Sequence, residues 1–162
     1  MFVRYYVELP IPADNLERAL LDAPQTWLPT LAGEANARRE RLLAEVGFGD
    51  GPRIETTVVI ELREPIRVPG KTVLPIRWSG AGPAHLLPAL EADIEVAPIT
   101  PRTAQLSMSA RYTPPMGPLG RAVDRALLHR VAEATLKDFL DRVAAALAAR
   151  AGSPTRDATM MA

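Results

Sequence analysis

The feature that most narrows what this chain can become lies near its C-terminal end, where the residues from about Leu119 to Arg150 read as one uninterrupted helix. Leu128, Ala132, Leu136, Phe139, Val143 and Leu147 recur at three- and four-residue steps, with Val131 and Leu140 beside them, and together they draw a single apolar stripe. At 1.5 Å per residue such a rod is about 45 Å long. An isolated helix has little stability in water, so the stripe must be covered by something of comparable extent. The flanks are charged, and the four-residue spacings Glu133 to Lys137 and Asp138 to Arg142 predict ion pairs on the solvated sides.

The cover is written upstream, where the period falls to two. Residues 2–9 (Phe2-Val3-Arg4-Tyr5-Tyr6-Val7-Glu8-Leu9) form a strand stopped by Pro10 and Pro12. Ile54, Thr56, Val58, Ile60 and Leu62 share one face of a second strand, with Arg53, Glu55, Thr57, Glu61 and Arg63 on the other. Thr72, Leu74, Ile76 and Trp78 repeat the pattern over 71–79, where Pro75 predicts an edge position or a bulge. Leu90, Ala92, Ile94 and Val96 alternate against Glu91, Asp93 and Glu95, and Leu106, Met108, Ala110 and Tyr112 follow after a turn at 98–102. Between the first two strands, residues 13–22 carry Leu16, Ala19 and Leu20 at helical spacing, and a second short helix from 25 to about 32 presents Trp27, Leu28 and Leu31. Residues 37–46 fit either a helix or a strand. The glycines at 47, 49 and 51 make a turn, and Pro114 to Gly120 delivers the chain to the long helix.

Composition excludes several functions. With 19 basic and 19 acidic residues the formal net charge is zero, which removes the long-range attraction to phosphate backbones on which nucleic-acid binders rely. There is no cysteine, hence no disulfide, thiolate nucleophile or cysteine-bound metal. No run approaches the ~18 consecutive apolar residues of a spanning helix, and the N-terminal residues lack the pattern of a signal peptide, so a cytoplasmic location is expected.

The order of elements over residues 2–150 resembles the SRPBCC superfamily, the START-like group that includes polyketide cyclase/dehydrase and birch-pollen-allergen-like proteins. The junction Tyr112-Thr113-Pro114-Pro115-Met116-Gly117-Pro118-Leu119-Gly120, the helix start Asp124-Arg125-Ala126-Leu127-Leu128-His129-Arg130-Val131-Ala132-Glu133-Ala134-Thr135 and the strand Pro75-Ile76-Arg77-Trp78 are similar to actinobacterial-type members. The resemblance implies an α+β helix-grip fold: a curved antiparallel sheet wrapped around a long C-terminal helix, with two short helices after the first strand. It makes 1–150 one helix-grip domain and leaves 151–162 as a disordered tail. It also makes residues 39–46 a strand, paired through the glycine turn with 53–62. Superfamily relatives hold lipids, sterols, polyketides or other hydrophobic compounds between sheet and helix, and some transform them.

On that template the expected ligand-lining residues are Thr56, Val58, Leu74, Ile76, Trp78, His85, Ile94, Met108, Tyr112, Leu128, Ala132, Thr135, Leu136 and Phe139. For Met108 and Phe139 simple core filling is the commoner role, and for Trp78 core and pocket wall are equally apt. The two histidines, His85 in a loop and His129 on the long helix, have no metal-ligand spacing around them, so neither a metal nor a cofactor is expected. Glu91, Asp93 and Glu95 read as a solvated sheet surface. The leading expectation is a binding or carrier protein for a hydrophobic small molecule, without nucleic-acid partners or a membrane span, and with a homodimer compatible. The alternatives are a cyclase/aromatase-like enzyme, with Tyr112, His85 or His129 moving the proton, and a ligand-free interaction module with a filled interior.

Overall fold

A computed structural model describes residues 2–45, 57–81, 90–112 and 125–152. Along the chain they form β1 (Phe2–Leu9), α1 (Ala13–Leu21), α2 (Pro24–Glu45), β2 (Thr57–Leu62), β3 (Ile66–Val68), β4 (Lys71–Ala81), β5 (Leu90–Thr100), β6 (Thr103–Tyr112) and α3 (Arg125–Gly152). The strands make one curved antiparallel sheet in the order β1-β6-β5-β4-β2, with the short β3 also on β4. Strand alternation puts one set of side chains on the face toward α3. Val3, Leu74, Ile76, Trp78, Ala92, Ile94, Val96, Ala104, Leu106, Met108 and Ala110 are all buried there. Their neighbours Arg77, Glu91, Asp93 and Arg111 are exposed on the other face.

The helix α3 supplies the matching surface. Leu136, Phe139, Leu140, Val143 and Leu147 are each no more than 3% exposed, and they join the sheet residues in one core with Leu16 and Leu20 of α1 and Leu28, Ala32 and Ala35 of α2. Full burial of a side chain of this size contributes about 1.5–3 kcal/mol. Polar ties fix the helix along its length. The Tyr5 hydroxyl donates to Asp141 Oδ1 at 3.2 Å, Arg142 bridges Glu34 of α2 at 2.6 Å and Asp138 at 2.8 Å, and Arg150 reaches Asp22 Oδ2 at 2.9 Å beside the corner between α1 and α2.

Three expectations are corrected. Residues 39–45 are helical, not a strand, because α2 runs unbroken to Glu45. The segment Ala37-Arg38-Arg39-Glu40-Arg41-Leu42-Leu43-Ala44-Glu45 is dominated by strong helix formers, and Pro29 upstream removes one backbone donor without ending the helix. Pro75 is not on an edge strand, since β4 sits between β5 and the β2/β3 pair; it lies opposite the irregularity between them, where residues 63–65 stand against residues 74–75. Its carbonyl accepts from Arg63 N–H at 3.0 Å, so the side of Pro75 that lacks a donor faces the break between β2 and β3, where no strand asks for one. Finally, Glu133 does not pair with Lys137: Lys137 bonds Asp141, already placed beside Tyr5, and Glu133 turns to His129. The expected Asp138 to Arg142 pair is present.

Other boundaries differ by small amounts. β5 continues to Thr100, so the turn to β6 is Pro101-Arg102, and Ala151 and Gly152 still belong to α3. β3 was not foreseen; it closes on β4 through Pro69-Gly70, where Gly70 has φ of 84° as the third residue of a type II turn requires. The turn at 46–52, the junction at 113–124 and the tail from 153 lie outside the described residues.

Two measurements test this packing. Phe139→Ala is expected to lose about 3–5 kcal/mol in denaturant unfolding, as for a large aromatic removed from a filled interior. Ala23 links α1 to α2 with φ of 46°, a left-handed conformation that costs an L-residue about 1–2 kcal/mol. Allowing for the greater unfolded-state entropy of glycine, Ala23→Gly is expected to raise stability by roughly 0.5–1 kcal/mol.

Candidate functional site

The space between sheet and α3 differs at its two ends. Along the middle and C-terminal part of α3 it is filled. Ile94, Leu106, Met108, Phe139, Leu140, Val143 and Leu147 show no exposure, and the ring of Trp78 meets Phe139 edge to face at 5.1 Å between centroids. Atoms so closely surrounded leave no room for a guest among them.

Toward the other end the packing loosens. Register places Ile60, Trp78, Leu90 and Tyr112 in one row across β2, β4, β5 and β6, and the next row holds Leu62, Ile76, Ala92, Ala110 and Val3. In these rows Ile60, Leu62 and Leu90 are only partly buried, as is Ala132 on the facing part of α3. Thr135 is buried, and its hydroxyl donates to the Val131 carbonyl at 2.7 Å. One turn nearer the start of α3, His129 Nε2 lies 3.1 Å from Glu133 Oε1, with both side chains meeting solvent.

Among the expected ligand-lining residues, Leu74, Ile76, Trp78, Ile94, Met108, Leu136 and Phe139 come together in the buried core, and Ala132 packs partly buried against it. Thr135 is on the same helix between Val131 and Phe139. Thr56 and His85, and the side chains of Val58, Tyr112 and Leu128, lie outside the described residues. Sequence reasoning put the strand around Thr56 to Ile60 in the cavity wall but did not single out Leu62 and Leu90, and it missed the partnership of Glu133 with His129. The four-residue spacing would have carried the second, had the lysine at the same distance not been the more obvious partner.

Charge stays off the inner face. On the flank of α3 next to β1, Asp141 and the Tyr5 hydroxyl raise the pKa of the Lys137 ammonium, which also lies over the Tyr5 ring at 5.2 Å. Asp138, and then Glu34, raise that of Arg142 on the flank next to α2. The opposite face of the sheet carries a shallow polar groove of about 270 Å³ bordered by Phe2, Pro75, Glu91, Asp93, Ser109 and Arg111, away from the inner layer. Among the described residues no three of His, Asp and Glu gather as metal ligands, and no helix is long and apolar enough to cross a membrane.

This arrangement has known counterparts. A conserved protein from Geobacillus kaustophilus, known from its crystal structure, superposes with a TM-score of 0.53 over 92% of this chain and 96% of its own, at 16% identity. The Zhui aromatase/cyclase from Streptomyces sp. R1128 (13% identity, 88% and 93% covered, TM-score 0.40) and norcoclaurine synthase from Thalictrum flavum (15% identity, 87% of each covered, TM-score 0.37) match more loosely, too loosely to bear on the chemistry of this chain. No protein-family model and no curated protein matches it. What the likeness establishes is the fold alone, a curved antiparallel sheet closed by a long C-terminal helix in the helix-grip arrangement, as the element order led one to expect.

The filled base predicts a split response to substitution. Met108→Ala is expected to cost about 2–5 kcal/mol, whereas Leu90→Ala at the loose end should cost clearly less, a contrast read from paired urea denaturation curves.

Proposed function

We propose that this protein binds a hydrophobic small molecule in the loosely packed end of the space between the sheet and α3. The observation that carries this reading is that Ile60, Leu62, Leu90 and Ala132, inward apolar residues of the same layer as the fully buried Ile94, Met108 and Phe139, are left partly accessible. Apolar surface left accessible inside a concave layer is the usual setting of a small-ligand site, because transfer of a guest from water gains about 25 cal/mol per Å² of apolar area covered. In this reading Trp78, Thr135 and Leu136 form the walls, while Leu74, Ile76, Ile94, Met108 and Phe139 form the packed floor that sets how deep a guest can go. Binding or carriage is preferred to catalysis here because no titratable side chain is buried among the described residues of the inner layer. A floor closed by the fully buried Ile94, Met108 and Phe139 favours a compact guest over a long acyl chain.

The test is direct. Native mass spectrometry of the purified protein is expected to show co-purified small molecules, and an environment-sensitive fluorescent fatty-acid probe should bind with saturation and displace on addition of a compact aromatic hydrocarbon. Ala132→Trp, which fills the proposed chamber from the helix side, should weaken probe binding more than tenfold, a loss of over about 1.4 kcal/mol. Failure of the wild-type protein to take up either probe or hydrocarbon would sink the proposal.

A further inference from the structure

The apolar stripe of α3 begins with a polar residue. Counting back seven residues from Leu136 and eleven from Leu140, each close to a whole number of helical turns, puts His129 on the line of the helix that faces the sheet. Leu136, Phe139, Leu140, Val143 and Leu147 on that side are at most 3% exposed, yet the His129 side chain is 41% exposed. A side chain on that line that still meets water lies beyond the buried part of the stripe, near the start of α3. Its ring is held by Glu133, 3.1 Å from Nε2. In the neutral ring the Nε2 hydrogen then donates to that carboxylate, and Nδ1 keeps a lone pair with no partner among the described residues.

Few other groups on this side can receive a hydrogen bond from a guest. Ile60, Trp78, Leu90 and Ala92 offer no acceptor in their side chains. The hydrogens of the Tyr5 and Thr135 hydroxyls are committed to Asp141 and to the Val131 carbonyl, so neither can donate to a guest, although their oxygens keep acceptor lone pairs. A guest that buried an ionised carboxylate here would lose its hydration without gaining a cation from the described inner face, whereas a single hydroxyl could be satisfied at the rim.

We propose that His129, positioned by Glu133, is the hydrogen-bond acceptor of the mouth, so that the preferred guest is a neutral, compact apolar molecule bearing a phenol or alcohol donor. The proposal rests on the reading that this space takes an apolar molecule, and it adds the group that orients it.

The experiment compares 1-naphthol with naphthalene, titrated separately into the isotope-labelled full chain and followed by amide and imidazole chemical shifts. The wild-type protein is expected to bind 1-naphthol about three- to tenfold more tightly, the size of one neutral hydrogen bond. Imidazole signals of His129 should move with 1-naphthol only. His129→Phe should keep naphthalene binding and abolish the preference. His129→Asn, whose amide oxygen can stand where Nδ1 does, should retain it. Equal binding of the two compounds by the wild type, or a preference that survives in His129→Phe, overturns the role of His129 and leaves the apolar site standing. Binding of neither compound overturns both.

Discussion

The contact between the stripe of α3 and the inner face of the sheet is what the remainder of this structure depends on. Neither surface is stable alone: a curved antiparallel sheet with one apolar face and a helix with one apolar side each need the other to remove that area from water. Where Trp78 meets Phe139 the two layers interlock as aromatic rings, and from there to Leu147 the inward side chains of α3 are buried. The ion pairs of Arg142 and Arg150 follow from this contact instead of causing it. They lie on the surface, where such pairs stabilise little, and their role is to hold the rod in register with α2 and with the corner after α1.

The alternation of Leu74, Ile76 and Trp78, of Ala92, Ile94 and Val96, and of Leu106, Met108 and Ala110 was legible because each strand has one wet and one dry face, and period two then names the inward residues directly. The stripe of α3 was legible for the same reason at period 3.6. Residues 37–45 were not, because a short stretch with Leu42-Leu43 in a charged setting satisfies both periods, and the strand suggested by family resemblance outweighed local helix propensity. Pro75 misled because strand position was inferred from the missing donor alone. Whether that donor is needed depends on which neighbour stops opposite it, a tertiary fact. The pairing of His129 with Glu133 was hidden by choice among partners, since Glu133 has a basic residue four positions away on each side and only the placement of Asp141 next to Tyr5 decides between them.

The candidate site was read less completely than the fold. Pattern identifies which face is inward, and so it named most of the inner layer, but it cannot say where that layer is filled and where it is loose. That distinction comes from how residues meet across the layers: Phe139 against Trp78 closes the space, while Ala132, Ile60 and Leu90 stay partly accessible.

The interruption between β2 and β3 opposite Pro75 has a mechanical consequence. A strand that ended there and resumed as one continuous ladder would carry strain from one end of the sheet to the other. Instead, β2 is joined to β4 only over Thr57 to Leu62, at the end where Ile60 and Leu62 face inward, and β3 closes the far end separately. Movement of the first strand therefore need not be transmitted to the second, so the two ends of this edge can loosen independently while the inner layer stays seated on the helix.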